Sequence, residues 1–267
     1  MCQLLGMNCN VPTDICFSFA GFRARGGQTD HHRDGWGIAF FEGKGVRLFV
    51  DTQSACLSPI AELIKNYPIR STNVIAHIRR ATQGDIHLDN THPFQRELWG
   101  RYWIFAHNGN LDDYHPVLDG RFHPVGSTDS EMAFCHIMQE LARRFDNRMP
   151  PAVELFATLR ALCIEISAFG EFNFLLSNGD FLFAHSSSRL SWISRQAPQD
   201  CISVVATTPL TDNPNWHPLP AGHLYAFVDG KMQDLGAHDT VRREPSAATA
   251  DAQRPCAQFT TVQPSLE

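Results

Sequence analysis

The sequence predicts an α+β fold. Strand-type runs with hairpin turn signals lie on both sides of one central helical block, hydrophobic residues make up 43% of 267 positions, and no internal repeat announces a solenoid. That apolar share is enough for a sizeable core.

The elements follow in order. Cys2–Asn8 is short, apolar and bounded by Asn10 and Pro12, which reads as a buried strand at the very start. Asp14–Arg25 carries Ile15, Phe19 and Phe22 at helical spacing and stops at Gly26-Gly27. The run Arg23-Ala24-Arg25-Gly26-Gly27 contains one RGG-like triplet, and a glycine-ended helix is the stronger reading. Gly35–Phe41, the turn Glu42-Gly43-Lys44-Gly45 and Val46–Val50 make a β-hairpin; Asn73–Ile78 and Tyr102–His107 read as central strands. Ser127-Thr128-Asp129 supplies cap-type residues before a helix over Ser130–Phe145, striped by Met132, Phe134, Cys135, Ile137, Met138 and Leu141. A second helix follows Pro150-Pro151 and reaches Ser167. Phe172–Leu176 and Phe181–His185 form a hairpin around Asn178-Gly179, and shorter strands lie near Trp192, over Ser203–Ala206 and over Leu224–Val228. From Gly236 onward the chain turns to Ala, Pro, Ser, Thr and Gln with one aromatic, Phe259. Residues 1–235 therefore read as one domain and 236–267 as a polar, flexible tail.

Composition narrows the function. With Lys+Arg 22 against Asp+Glu 28 the net charge is -6, which leaves no basic footprint for nucleic acid or anionic lipid. No apolar run reaches the about 18 residues of a membrane helix. Met1-Cys2-Gln3-Leu4-Leu5 has neither a charged n-region nor a small-residue cleavage site, so the expected location is cytoplasmic. The 8 cysteines contain no C-x-x-C pair and read mostly as small buried hydrophobes. Of the 13 histidines, adjacent His31-His32 on a strand would face opposite ways, His92 has no H-x-x-x-H partner, and neither a metal nor a cofactor is expected.

Cys2 is the first residue to weigh for chemistry, although taken alone it reads as an incidental small residue. Removal of Met1 would leave a thiol of pKa about 8.5 and an α-amine of about 7.7 to 8.0 on one residue, nucleophile and base together. Four further segments stand in order: His77-Ile78-Arg79-Arg80-Ala81-Thr82-Gln83-Gly84, Thr91-His92-Pro93-Phe94, Ala106-His107-Asn108-Gly109-Asn110 and Ser127-Thr128-Asp129-Ser130-Glu131. Each has an ordinary reading alone: Arg79 as a surface ion-pair member, Asn108-Gly109 as a turn dipeptide, Asp129 as a charge at a helix start. Taken together, from Cys2 to Leu141, they resemble the class II glutamine amidotransferases. Asp34-Gly35-Trp36-Gly37-Ile38 and Glu97-Leu98-Trp99-Gly100-Arg101 are similar to the stand-alone YafJ-like branch of that family.

The resemblance implies an N-terminal nucleophile (Ntn) hydrolase fold, a four-layer αββα sandwich of two antiparallel sheets between helical layers. It also implies a site: Cys2 as nucleophile, Asn108 Nδ2 and the Gly109 N–H as oxyanion hole, Arg79 as a fork on the α-carboxylate of glutamine, and Asp129 on the α-ammonium. Thr82, with the Arg79–His87 loop, would line or close the pocket, and Gly84 with few apolar anchors makes that loop a mobile lid. The implied reaction is thiolate attack on the side-chain amide, loss of ammonia and hydrolysis of a γ-glutamyl thioester. No synthase domain fits in the tail, so the acceptor would lie on a separate subunit or be absent. Three positions depart from the family pattern: His31-His32-Arg33 precedes Asp34-Gly35 where many members have Arg-Gly-x, leaving His31 or Arg33 to steady the N-terminus; Arg80 replaces a frequent Trp; Gln83 replaces a frequent His. Two alternatives stay open: a hydrolase of γ-glutamyl amides or glutathione-like peptides, and an inactive regulatory module of the same fold.

Overall fold

Strand alternation decides the layers. In the first strand, β1 (Gln3–Asp14), Leu5, Met7 and Cys9 join an apolar cluster with Phe19 and Phe22, while Leu4 joins a different cluster with Leu175, Leu182 and Ala184. Gly6 lies on the Leu4 face, where a Cβ would stand 3.0 Å from Leu175 and 3.1 Å from Leu182. Only the absence of a side chain lets the two sheets approach there.

The computed structural model describes residues 2–30, 32–67, 69–146 and 148–236. After β1 come α1 (Cys16–Ala24), β2 (Trp36–Glu42), β3 (Gly45–Asp51), α2 (Pro59–Asn66), β4 (Arg70–Ile78), β5 (Phe94–Leu98) and β6 (Arg101–Leu111). Then follow α3 (Asp129–Phe145), α4 (Ala152–Ser167), β7 (Gly170–Ser177), β8 (Leu182–Ser186), β9 (Leu190–Gln196), β10 (Cys201–Ala206), β11 (His217–Leu219), β12 (His223–Val228) and β13 (Lys231–Gln233). One sheet runs β11-β9-β10-β1-β4-β2-β3 and the other β13-β12-β8-β7-β6-β5. The pairings are antiparallel.

Three apolar layers hold four layers of structure. Ala61 and Ile64 of α2 join Phe19 and Phe22 of α1 over Ile38, Val74 and Ala76. Ile75, Ile104, Ala106 and Leu175 meet between the sheets. Phe134, Ile137 and Leu141 of α3 and Leu155, Leu159 and Ile166 of α4 cover Phe105, Phe172 and Phe174. The result is the αββα sandwich the resemblance implied. At its start α3 is capped by Thr128, whose Oγ1 accepts from the Glu131 N–H at 3.2 Å. The buried Glu131 carboxylate is satisfied by Arg96 at 2.6 Å and by the Gly126 N–H at 2.7 Å.

Several readings change. Asn108-Gly109 is no turn: β6 continues through both, with Asn108 opposite Asn173 and Gly109 opposite Phe172. β1 runs to Asp14 rather than Asn8, across a register shift between Asn8 and Thr13. α2 and the short strands β5, β11 and β13 were not apparent in the pattern. His32 lies in the loop before β2 and not on a strand, so strand alternation says nothing about it; its partner His31 lies outside the described residues. The expected tail over 236–267 also lies outside them, apart from Gly236. Among the described residues no helix is long and apolar enough to cross a membrane.

Candidate active site

The site forms where β1 begins beside the end of β4. Gln3 pairs with Ile78, so Cys2, one residue earlier, meets the segment that leaves β4. The Arg80 N–H donates to Cys2 Sγ at 3.3 Å, and the thiol lies 3.4 Å from Arg80 O. That segment is shaped by the Asp34-Gly35 turn: Arg79 N donates to Gly35 O at 2.8 Å, and Ala81 N donates to Asp34 Oδ2 at 2.8 Å. Burial raises the Cys2 thiol above its ordinary pKa, the Arg80 N–H and the Arg79 guanidinium pull it back, and Asp129 adds to the rise. Cys2, Arg79 and Asp129 therefore share one local field.

Arg79 is buried at 3% exposure. Its guanidinium donates to Asp85 O at 2.9 Å, Gln83 O at 2.9 Å and Gly84 O at 3.0 Å, which winds the following loop around it. The loop has further anchors. Gln83 Nε2 donates to Asn110 Oδ1 at 2.7 Å, Asn90 Nδ2 donates to Asp85 O at 3.1 Å, and Ser127 N donates to Asn90 Oδ1 at 2.8 Å. Polar contacts tie the loop to β6 and to the residues just before α3. Thr82 is exposed in this loop.

Across the sheet interface stand the β6 residues. Asn108 shares the Ile104 and Ala106 face, between the sheets, and is 1% exposed. Its Nδ2 lies 3.3 Å from Thr207 Oγ1, its backbone oxygen accepts from Asn173 Nδ2 at 3.1 Å, and its buried Oδ1 has no partner among the described residues. Gly109 has no room for a side chain, because a Cβ would stand 1.7 Å from Glu171 O. Asp129 opens α3 with its carboxylate fixed by the Leu111 N–H at 2.8 Å and the Ser130 N–H at 2.9 Å. A cavity of about 210 Å³ lies against Asp129, walled also by Gln83, Ser127, Tyr114 and Met132. Larger hollows near α4 and over the outer face of β10 touch none of the six expected residues.

Several contributors escaped the sequence reading. Asn173 accepts three backbone N–H groups, from Ser187, Ser188 and Arg189, while donating to Asn108 O; a buried Asn within the apolar run of β7 was its only signal. The N-terminal strand is steadied by Arg25, whose Nη1 donates to Gln3 Oε1 at 3.2 Å and to Thr208 O at 3.1 Å. Arg33 instead donates to Gly27 O. His77 and His92 pack with ring centroids 4.3 Å apart and planes tilted by 40°, and none of their four ring nitrogens has a hydrogen-bond partner among the described residues. Burial pushes His77 down to about 3 and His92 well below its ordinary value, so both are neutral. No group of three or more His, Cys, Asp or Glu among the described residues could hold a metal ion.

Comparison with known proteins points one way. The family model described as glutamine amidotransferases class-II matches residues 1–202 and 197–251. YafJ of Escherichia coli, which carries glutamine amidotransferase in its name, is 46% identical over 252 residues, covering 86% of this chain and 99% of that protein. A solved structure described as a predicted glutamine amidotransferase from Pseudomonas aeruginosa superposes with a TM-score of 0.71 at 41% identity, over 87% of this chain and 99% of the other. A gamma-glutamyl-hercynylcysteine sulfoxide hydrolase of Mycolicibacterium smegmatis is 28% identical over 215 residues, 74% of this chain and 79% of that protein.

Proposed function

Because the chain belongs to the class II glutamine amidotransferases, we propose that it hydrolyses the side-chain amide of glutamine through Cys2, freed by removal of Met1. The observation that carries this is the meeting of Cys2 Sγ with the Arg80 backbone beside a buried Arg79, with Asp129 in the same field. The α-amine takes the thiol proton, and the thiolate attacks the δ-carbon while charge moves onto the amide oxygen. Asn108 Nδ2 and the Gly109 N–H hold that oxyanion. The ammonium returns its proton to the leaving nitrogen, ammonia departs, and water hydrolyses the γ-glutamyl thioester to glutamate. Arg79 directs spare donors to the substrate α-carboxylate, Asp129 takes the α-ammonium, and Thr82 lines the entrance. Residues 1–235 form the catalytic unit, the location is cytoplasmic, and the ammonia acceptor, where there is one, belongs to a separate subunit.

A second reading rests on the similarity to the mycobacterial hydrolase. Arg79 and Asp129 grip only the γ-glutamyl end, so a γ-glutamyl amide or peptide would be seated the same way. The presence of Cys2, Arg79, Asn108, Gly109 and Asp129 in one constellation argues against an inactive regulatory module.

The deciding experiment compares ammonia release from glutamine with hydrolysis of γ-glutamyl peptides by the Met1-free protein. Higher kcat/KM for glutamine supports the first reading and the reverse ratio the second. Cys2→Ala, or an N-terminal tag that cannot be removed, should abolish both turnover and labelling by a glutamine-like electrophile. Full turnover by Cys2→Ala would sink the mechanism.

A further inference from the structure

Thr207 follows β10, 3% exposed, at the junction of three elements. Its N–H donates to Leu4 O at 3.1 Å, and its Oγ1 accepts from the Leu4 N–H at 2.9 Å. The same Oγ1 lies 3.3 Å from the Asn108 carboxamide on the opposite sheet. With Nδ2 toward Thr207, the hydroxyl oxygen accepts twice, its own proton has no acceptor among the described residues, and Asn108 Oδ1 is buried with no donor. A buried carbonyl oxygen left without a donor loses its hydration with nothing in exchange. It would also repel, rather than hold, a developing oxyanion. A half-turn of the carboxamide removes both faults: the Thr207 hydroxyl donates to Oδ1 while still accepting from Leu4, and the NH₂ group takes the unpaired position.

We propose that Thr207 is a positioning residue that fixes the Asn108 carboxamide with its oxygen inward and its NH₂ toward the tetrahedral oxyanion, while pinning the Leu4 peptide two residues from Cys2. This rests on the glutaminase reading above. One hydroxyl then ties the nucleophile strand of one sheet to the oxyanion donor of the other. It differs from a packing role because the orientation it gives the Asn108 carboxamide acts on charge that develops on the substrate.

The test uses Thr207→Val, which keeps the shape and loses the hydroxyl, and Thr207→Ser, which keeps the hydroxyl. In the Met1-free protein Thr207→Val should lower kcat roughly 10- to 100-fold with KM moved less than about twofold, and Thr207→Ser should restore most of the rate. In an Asn108→Ala background Thr207→Val should add less than about a twofold loss. An unchanged kcat in Thr207→Val, or a full additive loss in the double variant, overturns the proposal. If Thr207→Val does not fold, Thr207→Ala carries the same comparison.

A readout independent of turnover is the side-chain amide resonance pair of Asn108, identified by its disappearance in Asn108→Ala. It should shift in Thr207→Val and hold in Thr207→Ser; an unmoved pair in Thr207→Val overturns the contact. A protein inert toward glutamine and γ-glutamyl peptides that still shows the shift would keep the contact and overturn the glutaminase reading alone.

Discussion

Each side chain of the site should leave a different kinetic signature. In the proposed mechanism Arg79 and Asp129 meet charges that the substrate carries before and during reaction, so Arg79→Lys and Asp129→Asn should mainly raise KM. Lys cannot reproduce a planar fork and also loses the carbonyls of Gln83, Gly84 and Asp85. In the same proposal Asn108 meets charge that exists only in the transition state, and Asn108→Ala should lower kcat by about 100-fold or more with KM little changed. Steady-state kinetics of the three variants separate these roles, and an Asn108→Ala defect confined to KM would contradict the oxyanion assignment. The six proposed site residues stand out in the sequence because their neighbours form ordered motifs. Thr207, Asn173 and Arg25 were not, because each acts through a partner far along the chain: Thr207 through Leu4 and Asn108, Asn173 through Asn108, Arg25 through Gln3 and Thr208.

Elements were legible where local pattern and tertiary role agree. α3 was, since Thr128 caps it and its apolar stripe faces one layer. α2 was not, although Ser58 caps it and Pro59 occupies its first turn, because exposed Ile60 and Leu63 blur the stripe made by Ala61 and Ile64. β5 hides for another reason: it is an edge strand with a polar centre, Gln95-Arg96-Glu97. Asn108-Gly109 has the local preference of a hairpin turn, overruled by a strand that arrives after two intervening helices. The close approach of β6 to β7 gives an element-level prediction. Gly109→Ala would drive a Cβ to 1.7 Å from Glu171 O and should cost about 3 kcal/mol or more in thermal or urea unfolding. Gly45→Ala is the control, since its Cβ would meet nothing nearer than 3.4 Å, and a loss as large there would refute the steric account.

At the scale of the whole molecule, acid should loosen the fold through its buried imidazoles. His77 is held near 3 by burial against an ordinary 6.5, and burial also lowers His92, His107 and His185. Below about pH 6.5 the unfolded chain takes up protons that the folded chain refuses until near pH 3, so stability is fullest above that window and falls as pH drops through it. Tm measured from pH 7 to 4 should decline, and His77→Gln should flatten the slope. A slope unchanged in that variant would remove His77 from the account.

The position of β1 has a consequence in time. It lies inside the seven-stranded sheet, between β10 and β4, and Leu5 pairs with Ala206. β1 is synthesised long before β10, so one flank of that strand stays unpaired until residues 201–206 have emerged. Closing so long a loop is slow, and the sheet cannot be completed in the order of synthesis. On the proposed mechanism, truncated or still-growing chains would carry Cys2 without Thr207 to hold Leu4 and Asn108, and ammonia release would begin only once nearly the entire sandwich has been made.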